Sequence, residues 1–162
     1  MKIGDGVEWA IHCCTVLATL PDGTSLPAAR LAELHGVPAA YLAKHLQALA
    51  AAGIVAALPG RRGGYRLARP AEELTLLEVV TAVEGGDPAF RCTEIRRRGP
   101  CTGLPAALFA APCAVASAMA RAEAAWRKEL QATTVADLAR HVERHVDPRI
   151  LRRVGDWLDS VL

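Results

Sequence analysis

The chain has 162 residues, the size of one ordinary domain with a short extension, which excludes a large multidomain enzyme. Apolar residues make up 52% of it, but no run of them reaches the roughly 18 residues of a membrane span. With 19 basic and 17 acidic side chains the net charge is only +2, so charge alone identifies no nucleic-acid partner. The N-terminus lacks a signal-peptide pattern, and we expect a soluble, cytoplasmic protein.

Three helices are predicted in the first third of the chain. Apolar positions form a helical stripe over residues 7–20. A second, shorter helix is predicted within residues 25–36, where Ser25 can act as its N-cap and Gly36 ends it. A third helix over 38–52 has leucines at i, i+4 and i+7. Two short helices joined by a tight glycine-bearing turn are the outline of a helix-turn-helix.

A β-hairpin is predicted directly after the third helix. Residues 54–58 and 65–67 have the composition of strands, and a glycine-rich tip separates them. A helix-turn-helix followed by such a hairpin is a winged helix, in which the second helix of the motif enters the major groove and the hairpin lies along the backbone. The side chains predicted to face DNA lie off the leucine stripe of the third helix or in the wing tip: Tyr41, Lys44, His45, Gln47, Arg61 and Arg62.

The predicted fold class is mainly α with a small β-hairpin wing. A fourth helix starts at a capping box of Thr75 and Glu78, and residues 1–86 form the predicted DNA-binding domain. Periodicity is lost over the cysteine-bearing segment 87–112, and a segment of this kind is usually functional or disordered. Residues 113–162 are predicted to hold a long dimerisation helix and two short helices that pack on the dimer core.

The five cysteines fall into two groups. Cys13 and Cys14 lie within the first helix and are predicted to be packing residues. Cys92, Cys101 and Cys113 lie in or beside the irregular segment among several arginines, a setting that favours ionised thiols acting as metal ligands or redox sensors. Their spacing is unlike that of zinc knuckles or ferredoxins, so scattered small apolar side chains are the alternative.

Glu8 and His12 project from one face of the first helix and can ligate one metal ion, although the spacing alone favours a surface hydrogen bond between them. His141 and His145 share that spacing in a charged region, where a solvated face is expected. The sequence has no Ser-His-Asp set, phosphate-binding loop or dinucleotide fingerprint. We therefore expect no enzyme.

The chain resembles the IscR-like family of bacterial winged-helix transcription regulators, which includes the nitric-oxide sensor NsrR and the redox regulator RsrR. The most specific matching segment is GGYRLARP at 63–70. The other matching segments are residues 7–14, 31–34, 41–46 and 74–80. The resemblance implies a homodimer that binds roughly palindromic promoter DNA. Many members hold an iron-sulfur cluster through three cysteines before the dimerisation helix and a fourth ligand from elsewhere.

Within this family, GVEWAIHCC at 6–14 and FRCTEIR at 90–96 are most similar to the RsrR branch. That resemblance implies a [2Fe-2S] cluster across the dimer interface, which makes 87–112 a cluster-binding loop and the protein a sensor of redox state or of nitrosative or oxidative stress. It also makes Trp9 a candidate relay. The implied ligands are Glu8 and His12 of one subunit and Cys92 and Cys113 of the other, with Cys101 as an alternative ligand.

The alternative function is that of a regulator with the same fold and no cluster. It would sense thiol oxidation or a small-molecule ligand, and the family contains members of this kind. Cys92, Cys101 and Cys113 would then be redox-active thiols rather than ligands. Iron and sulfide content separates the two functions.

Overall fold

The computed structural model describes residues 4–60 and 63–162. Within these residues the fold is mainly helical, with one two-stranded antiparallel hairpin, as predicted. The elements are α1 (Asp5–Leu17), α2 (Ala28–His35), α3 (Ala39–Ala51), β1 (Val55–Leu58), β2 (Gly64–Leu67), α4 (Leu76–Glu84), α5 (Ala114–Ala132), α6 (Val135–His145) and α7 (Pro148–Val161). Single turns of 3-10 helix lie at Ala71–Glu73, Ile95–Arg97, Gly99–Cys101 and Ala106–Phe109.

The two strands follow the helix-turn-helix in the sequence, and they pair with each other to form the wing. Val55 is opposite Leu67 in the ladder, and Leu58 is opposite Gly64. Leu26 pairs with β2 at a single residue, in the place of a third strand. Its N–H and C=O both bond to the backbone of Tyr65, at 3.0 and 2.8 Å. A Cβ atom on Gly64 would lie 2.4 Å from the Leu26 carbonyl carbon. Glycine is therefore required where this strand passes the chain before α2.

Leucines and two cysteines fill the core of the DNA-binding part. The predicted stripe of α3, formed by Leu42, Leu46 and Leu49, is fully buried. Cys13 and Cys14 of α1 are also fully buried, which confirms that they are packing residues. Helix α4 begins at a complete capping box of Thr75 and Glu78, and Thr134 with Asp137 forms another at α6.

The chain divides into two compact units. We call the described residues up to Gly86 together with Leu130–Leu162 the winged-helix unit, and Asp87–Glu129 the cysteine unit. Along the sequence, the chain changes from one unit to the other after Gly86 and again between Glu129 and Leu130, within α5.

The C-terminal helices α6 and α7 belong to the winged-helix unit. The N–H of Leu76 bonds to the carbonyl of Thr133 at 2.9 Å, and that of Val135 to the carbonyl of Leu74 at 2.8 Å. Val135 is fully buried, and Leu158 packs against the same core. These two hydrogen bonds anchor the start of α6 beside the start of α4. The packing of the C-terminal helices on a dimer core stays a prediction. Over the described residues, no helix has the length and apolar character needed to cross a bilayer.

Candidate metal site and nucleic-acid interface

The outer face of α3 carries three of the six residues predicted to contact DNA. Tyr41 is 66% exposed, and Lys44 and Gln47 are exposed as well. They lie there because the leucine stripe of α3 occupies the opposite, buried side. A phenol, an ammonium and a carboxamide thus share one polar surface, whose groups can bind phosphates and base edges.

The wing carries a further basic residue that the sequence reasoning missed. Arg66 is exposed on β2, between the half-buried Tyr65 and Leu67. The period-two alternation of the strand was the available signal. The predicted contacts Arg61 and Arg62 lie outside the described residues.

His45 lies on a different side of α3 and contacts α1. Its imidazole is half-buried, and a Cβ atom added at Gly6 would come within 2.3 Å of the His45 Cε1 atom. The ring also meets the Trp9 indole edge to face, with 6.1 Å between centroids and 76° between planes. The side chain of His45 therefore lies between α3, the predicted recognition helix that carries it, and α1.

Two of the predicted metal ligands are on the outer surface of α1. Glu8 and His12 are both exposed, while Trp9 between them is half-buried. The His12 ring lies 5.6 Å from that of His35, at the end of α2. His35 has a buried Nε2 atom with no hydrogen-bond partner among the residues that the structure describes. Burial, and next the neighbouring His12, lower the pKa of His35, which keeps its imidazole neutral.

The other two predicted ligands, Cys92 and Cys113, come together within the cysteine unit. Their sulfur atoms and a carboxylate oxygen of Glu94 all lie within 4.8 Å of one another. The side chain of Arg96 ties the two segments together, since it bonds to the Glu94 carboxylate and to the carbonyl of Ala111, at 2.8 and 3.0 Å. Cysteines far apart in sequence thus form one donor group.

The surroundings of this group stabilise thiolates. Cys113 directly precedes α5, and the N–H groups of Ala116 and then Val115 lower the pKa of its thiol, as does Arg96. The Glu94 N–H donates a hydrogen bond to the Cys92 sulfur at 3.4 Å. Thiolates with these donors are suitable ligands for iron or zinc.

The other three cysteines are not part of this group. Cys101 is half-buried in a 3-10 turn and, over residues 4–60 and 63–162, belongs to no cluster of three or more donor side chains. Burial raises the pKa of Cys13 and of Cys14 to about 12, so both remain protonated at neutral pH. Glu94 is a donor that the sequence reasoning missed, although it lies only two residues after Cys92.

A family model described as Rrf2, iron-dependent transcriptional regulator, matches residues 3–141 of the chain. The chain belongs to the Rrf2 family. A protein of Mycobacterium tuberculosis named as an HTH-type transcriptional regulator, MT1325, is 31% identical over 86% of this chain and 81% of its own. Another, YwgB of Bacillus subtilis, is 28% identical over 98% of this chain and 95% of its own. Because the matched family is one of transcription regulators, this chain is a regulator and not an enzyme.

Solved structures of Rrf2 regulators share the fold. The IscR of T. potens has a TM-score of 0.68 at 17% identity, covering 91% of this chain and 92% of its own. The oxidised form of CymR from Staphylococcus aureus has a TM-score of 0.64 at 24% identity, covering 86% and 96%. The winged-helix architecture is therefore confirmed, and with it a DNA-binding fold.

Proposed function

We propose that this Rrf2 protein is a dimeric transcription regulator that senses redox state, or nitrosative or oxidative stress, through a [2Fe-2S] cluster between its subunits. The ligands are Glu8 and His12 of one protomer and Cys92 and Cys113 of the other. The observation that carries the proposal is the convergence of Cys92 and Cys113 in the cysteine unit. Resemblance to the RsrR branch supplies the other half of the ligand set.

Each unit has two of the four side chains that such a cluster needs: Cys92 and Cys113 in the cysteine unit, and Glu8 and His12 in the winged-helix unit. Iron-sulfur clusters are held by thiolates, and imidazole replaces them on one iron in some centres. The cysteine unit offers two adjacent thiols with N–H and guanidinium donors around them. Glu8 and His12 are one helical turn apart and exposed, so both are accessible to a second protomer. Cys101 would be the third thiolate in the alternative, three-cysteine ligand set.

The apolar residues of α5 support dimerisation. Val115 is 61% exposed and Met119 is 42% exposed, one turn apart on this 19-residue helix. Single apolar side chains on a protein surface are ordinary. Two of them one helical turn apart are typical of the apolar seam along which a helix packs against a partner helix. The same seam continues in sequence to Ala122, Trp126 and Leu130. A second copy of α5 is the partner whose pattern matches it.

We propose that α1 carries a change at the ligands to the DNA-binding helix α3. Glu8, Trp9 and His12 share α1, and Trp9 contacts His45 of the recognition helix α3. A bound [2Fe-2S] cluster would supply a one-electron change of charge beside α1. A shift of α1 would be transmitted to α3 through the Trp9–His45 contact, because the rings are packed edge to face. Two recognition helices must match half-sites about one DNA turn apart, so a small rotation lowers the specific affinity.

Anaerobic purification tests the ligand set. Iron, sulfide and the visible spectrum are measured per protomer for the wild type and for Glu8→Ala, His12→Ala, Cys92→Ala, Cys101→Ala and Cys113→Ala. We expect a coloured wild type whose cluster is lost in every variant except Cys101→Ala. A cluster that also needs Cys101 would replace the proposed set with three cysteines. A colourless, iron-free wild type would refute the cluster.

DNA binding tests the switch. An operator is first selected from a random duplex library, and its affinity is then measured for oxidised, reduced and cluster-free protein at one salt concentration. We expect the three states to differ. Equal affinities in all three would leave a regulator without a redox switch.

One observation favours a second function, in which the thiols themselves are the sensor. Cys92 and Cys113 are neighbours, and the pKa of Cys113 is lowered. A hydroperoxide would oxidise the Cys113 thiolate to a sulfenic acid with release of hydroxide or alkoxide. Attack by the Cys92 thiol would then form a disulfide and release water. Iron-free protein that gains this disulfide on peroxide treatment, and loses operator affinity with it, would support the second function.

A further inference from the structure

Glu94 has no role in the proposed cluster, yet its carboxylate belongs to the same donor group as the two thiols. The three donor atoms of Cys92, Glu94 and Cys113 lie within 4.8 Å of one another, and all belong to one protomer. Cysteine sulfur and glutamate oxygen are both zinc ligands, and zinc sites with three protein ligands leave the fourth position to solvent. This group therefore needs neither Glu8 nor His12.

The separation of the three donors is close to what a tetrahedral ion requires. With zinc–sulfur bonds of about 2.3 Å, two thiolates on one tetrahedral ion are about 3.8 Å apart. Because the two sulfurs lie within 4.8 Å of each other, they need to approach by at most about 1 Å to bind one ion. Cys92 is exposed, and Glu94 and Cys113 are half-buried. Small side-chain movements close the site, and solvent can supply the fourth ligand.

Hydrogen bonds hold two of the three donor side chains in place. The Glu94 carboxylate accepts two hydrogen bonds from Arg96, which holds it beside the thiols as an outer-shell partner does. The Glu94 N–H is bonded to the Cys92 sulfur, so one residue supports the thiol and offers a carboxylate. Glu94 is also the single non-glycine residue with positive φ, 52°, among the residues described. Such conformations concentrate at ligand-binding sites.

We propose that Cys92, Glu94 and Cys113 bind one thiophilic divalent cation such as Zn²⁺ within a single protomer. Binding forms two metal–sulfur bonds and one metal–oxygen bond, and it releases the two thiol protons to solvent. The inference rests on the proposed function in one respect: if Cys92 and Cys113 also hold the cluster, the cation and the cluster exclude each other. Zinc-loaded protein would then accept a cluster only after chelation.

Cobalt binding to the full-length, iron-free chain tests the proposal. Co²⁺ is titrated under anaerobic conditions, and its ligand-field and thiolate charge-transfer bands are recorded before Zn²⁺ is added as a competitor. The variants are Glu94→Gln, Cys92→Ser and Cys113→Ser. The matched controls are Glu123→Gln, a carboxylate also paired with an arginine of the cysteine unit, and Cys101→Ser. Circular dichroism of each variant verifies its folding.

We expect one Co²⁺ per protomer with thiolate bands, displaced by Zn²⁺. Glu94→Gln should weaken binding at least tenfold, in the range by which lost metal-site residues lower affinity. Both cysteine variants should lose the thiolate bands, and the controls should bind as the wild type does. Wild-type affinity in Glu94→Gln, or no binding by the wild type, would overturn the proposal.

Glu8→Ala and His12→Ala separate this site from the cluster. Both variants should keep the cobalt site, while the proposed function expects them to lose the [2Fe-2S] cluster. Loss of cobalt binding in either variant would show that the cation uses the cluster ligands and would overturn the single-protomer site. A wild type that assembles a cluster but binds no cobalt would refute this inference alone.

Discussion

Gly6 of α1 and His45 of α3 give the sharpest test of the contact between α1 and the recognition helix. A Cβ atom at Gly6 would lie 2.3 Å from Cε1 and 2.5 Å from Nε2 of His45, far inside van der Waals contact. Both atoms are at the tip of the side chain, so in Gly6→Ala the imidazole must rotate away. That rotation also breaks its edge-to-face contact with Trp9.

The magnitudes follow from the two effects that oppose each other. Alanine in place of glycine stabilises a helix by at most about 1 kcal/mol. Loss of an aromatic edge contact costs about 0.5–1.5 kcal/mol. In the wild-type background, Gly6→Ala should therefore change the free energy of unfolding by less than about 1 kcal/mol. In a His45→Ala background neither the clash nor the ring contact exists, and the same substitution should stabilise the protein.

Urea unfolding of the wild type, the two single variants and the double variant measures this coupling. We expect a coupling energy of about 1 kcal/mol, within the range for residues in contact. Gly155→Ala is the matched control, because Gly155 lies within α7 and a Cβ there would meet no atom within 4 Å. Its effect should be additive with His45→Ala. A coupling below about 0.3 kcal/mol for Gly6 would refute the packing of His45 on α1.

Three further predictions concern thiols, acid stability and DNA. In the native iron-free protein, an alkylating reagent should modify Cys92, Cys101 and Cys113 but spare Cys13 and Cys14 until urea unfolds the chain, as mass spectrometry would show. The Thr134 N–H, with the Thr134 hydroxyl and Arg140, lowers the pKa of Asp137 to about 2. The ionised carboxylate of Asp137 should therefore stabilise the fold fully above about pH 3.9, the pKa of Asp in an unfolded chain. This stabilisation should vanish as the pH falls through about 2. Asp137→Asn should flatten that pH dependence in urea unfolding. Lys44→Ala should lower by about one the slope of log affinity against log salt concentration for binding to a random-sequence DNA duplex. Lys128→Ala in α5 should leave that slope unchanged.

Local chemistry explains why the fold could be predicted from the sequence. The capping boxes at Thr75 and Thr134 combine an N-cap hydroxyl with an acidic residue three positions later, and both helices begin there. These capping signals lie within three residues of the helix starts that they specify. The segment GGYRLARP is explained by contacts with residues elsewhere in the chain. Gly64 allows the close approach of Leu26, and Arg69 bonds to Glu78 of the α4 capping box at 2.6 Å.

The parts of the candidate site that the sequence missed depend on contacts between distant segments. Periodicity correctly placed His45 off the leucine stripe of α3, but it did not show that Gly6 leaves room for the imidazole on α1. Likewise Glu94 has no periodic pattern around it, and its association with Cys113 depends on the Arg96 bridge to Ala111. The cysteines themselves were found because reactive thiols among arginines are conspicuous by composition.

The placement of the proposed ligands explains how one centre could control DNA binding. Glu8 and His12 are on the helix that contacts α3, whereas Cys113 directly precedes α5, the proposed dimerisation helix. A centre that joins these ligands across the dimer connects the recognition helix of one protomer to the dimer seam of the other. Allosteric coupling of about 1–3 kcal/mol changes an affinity 5- to 150-fold. We propose that this coupling passes through the Trp9–His45 contact, so His45→Ala should bring the operator affinities of the oxidised and reduced protein closer together while the iron content stays unchanged.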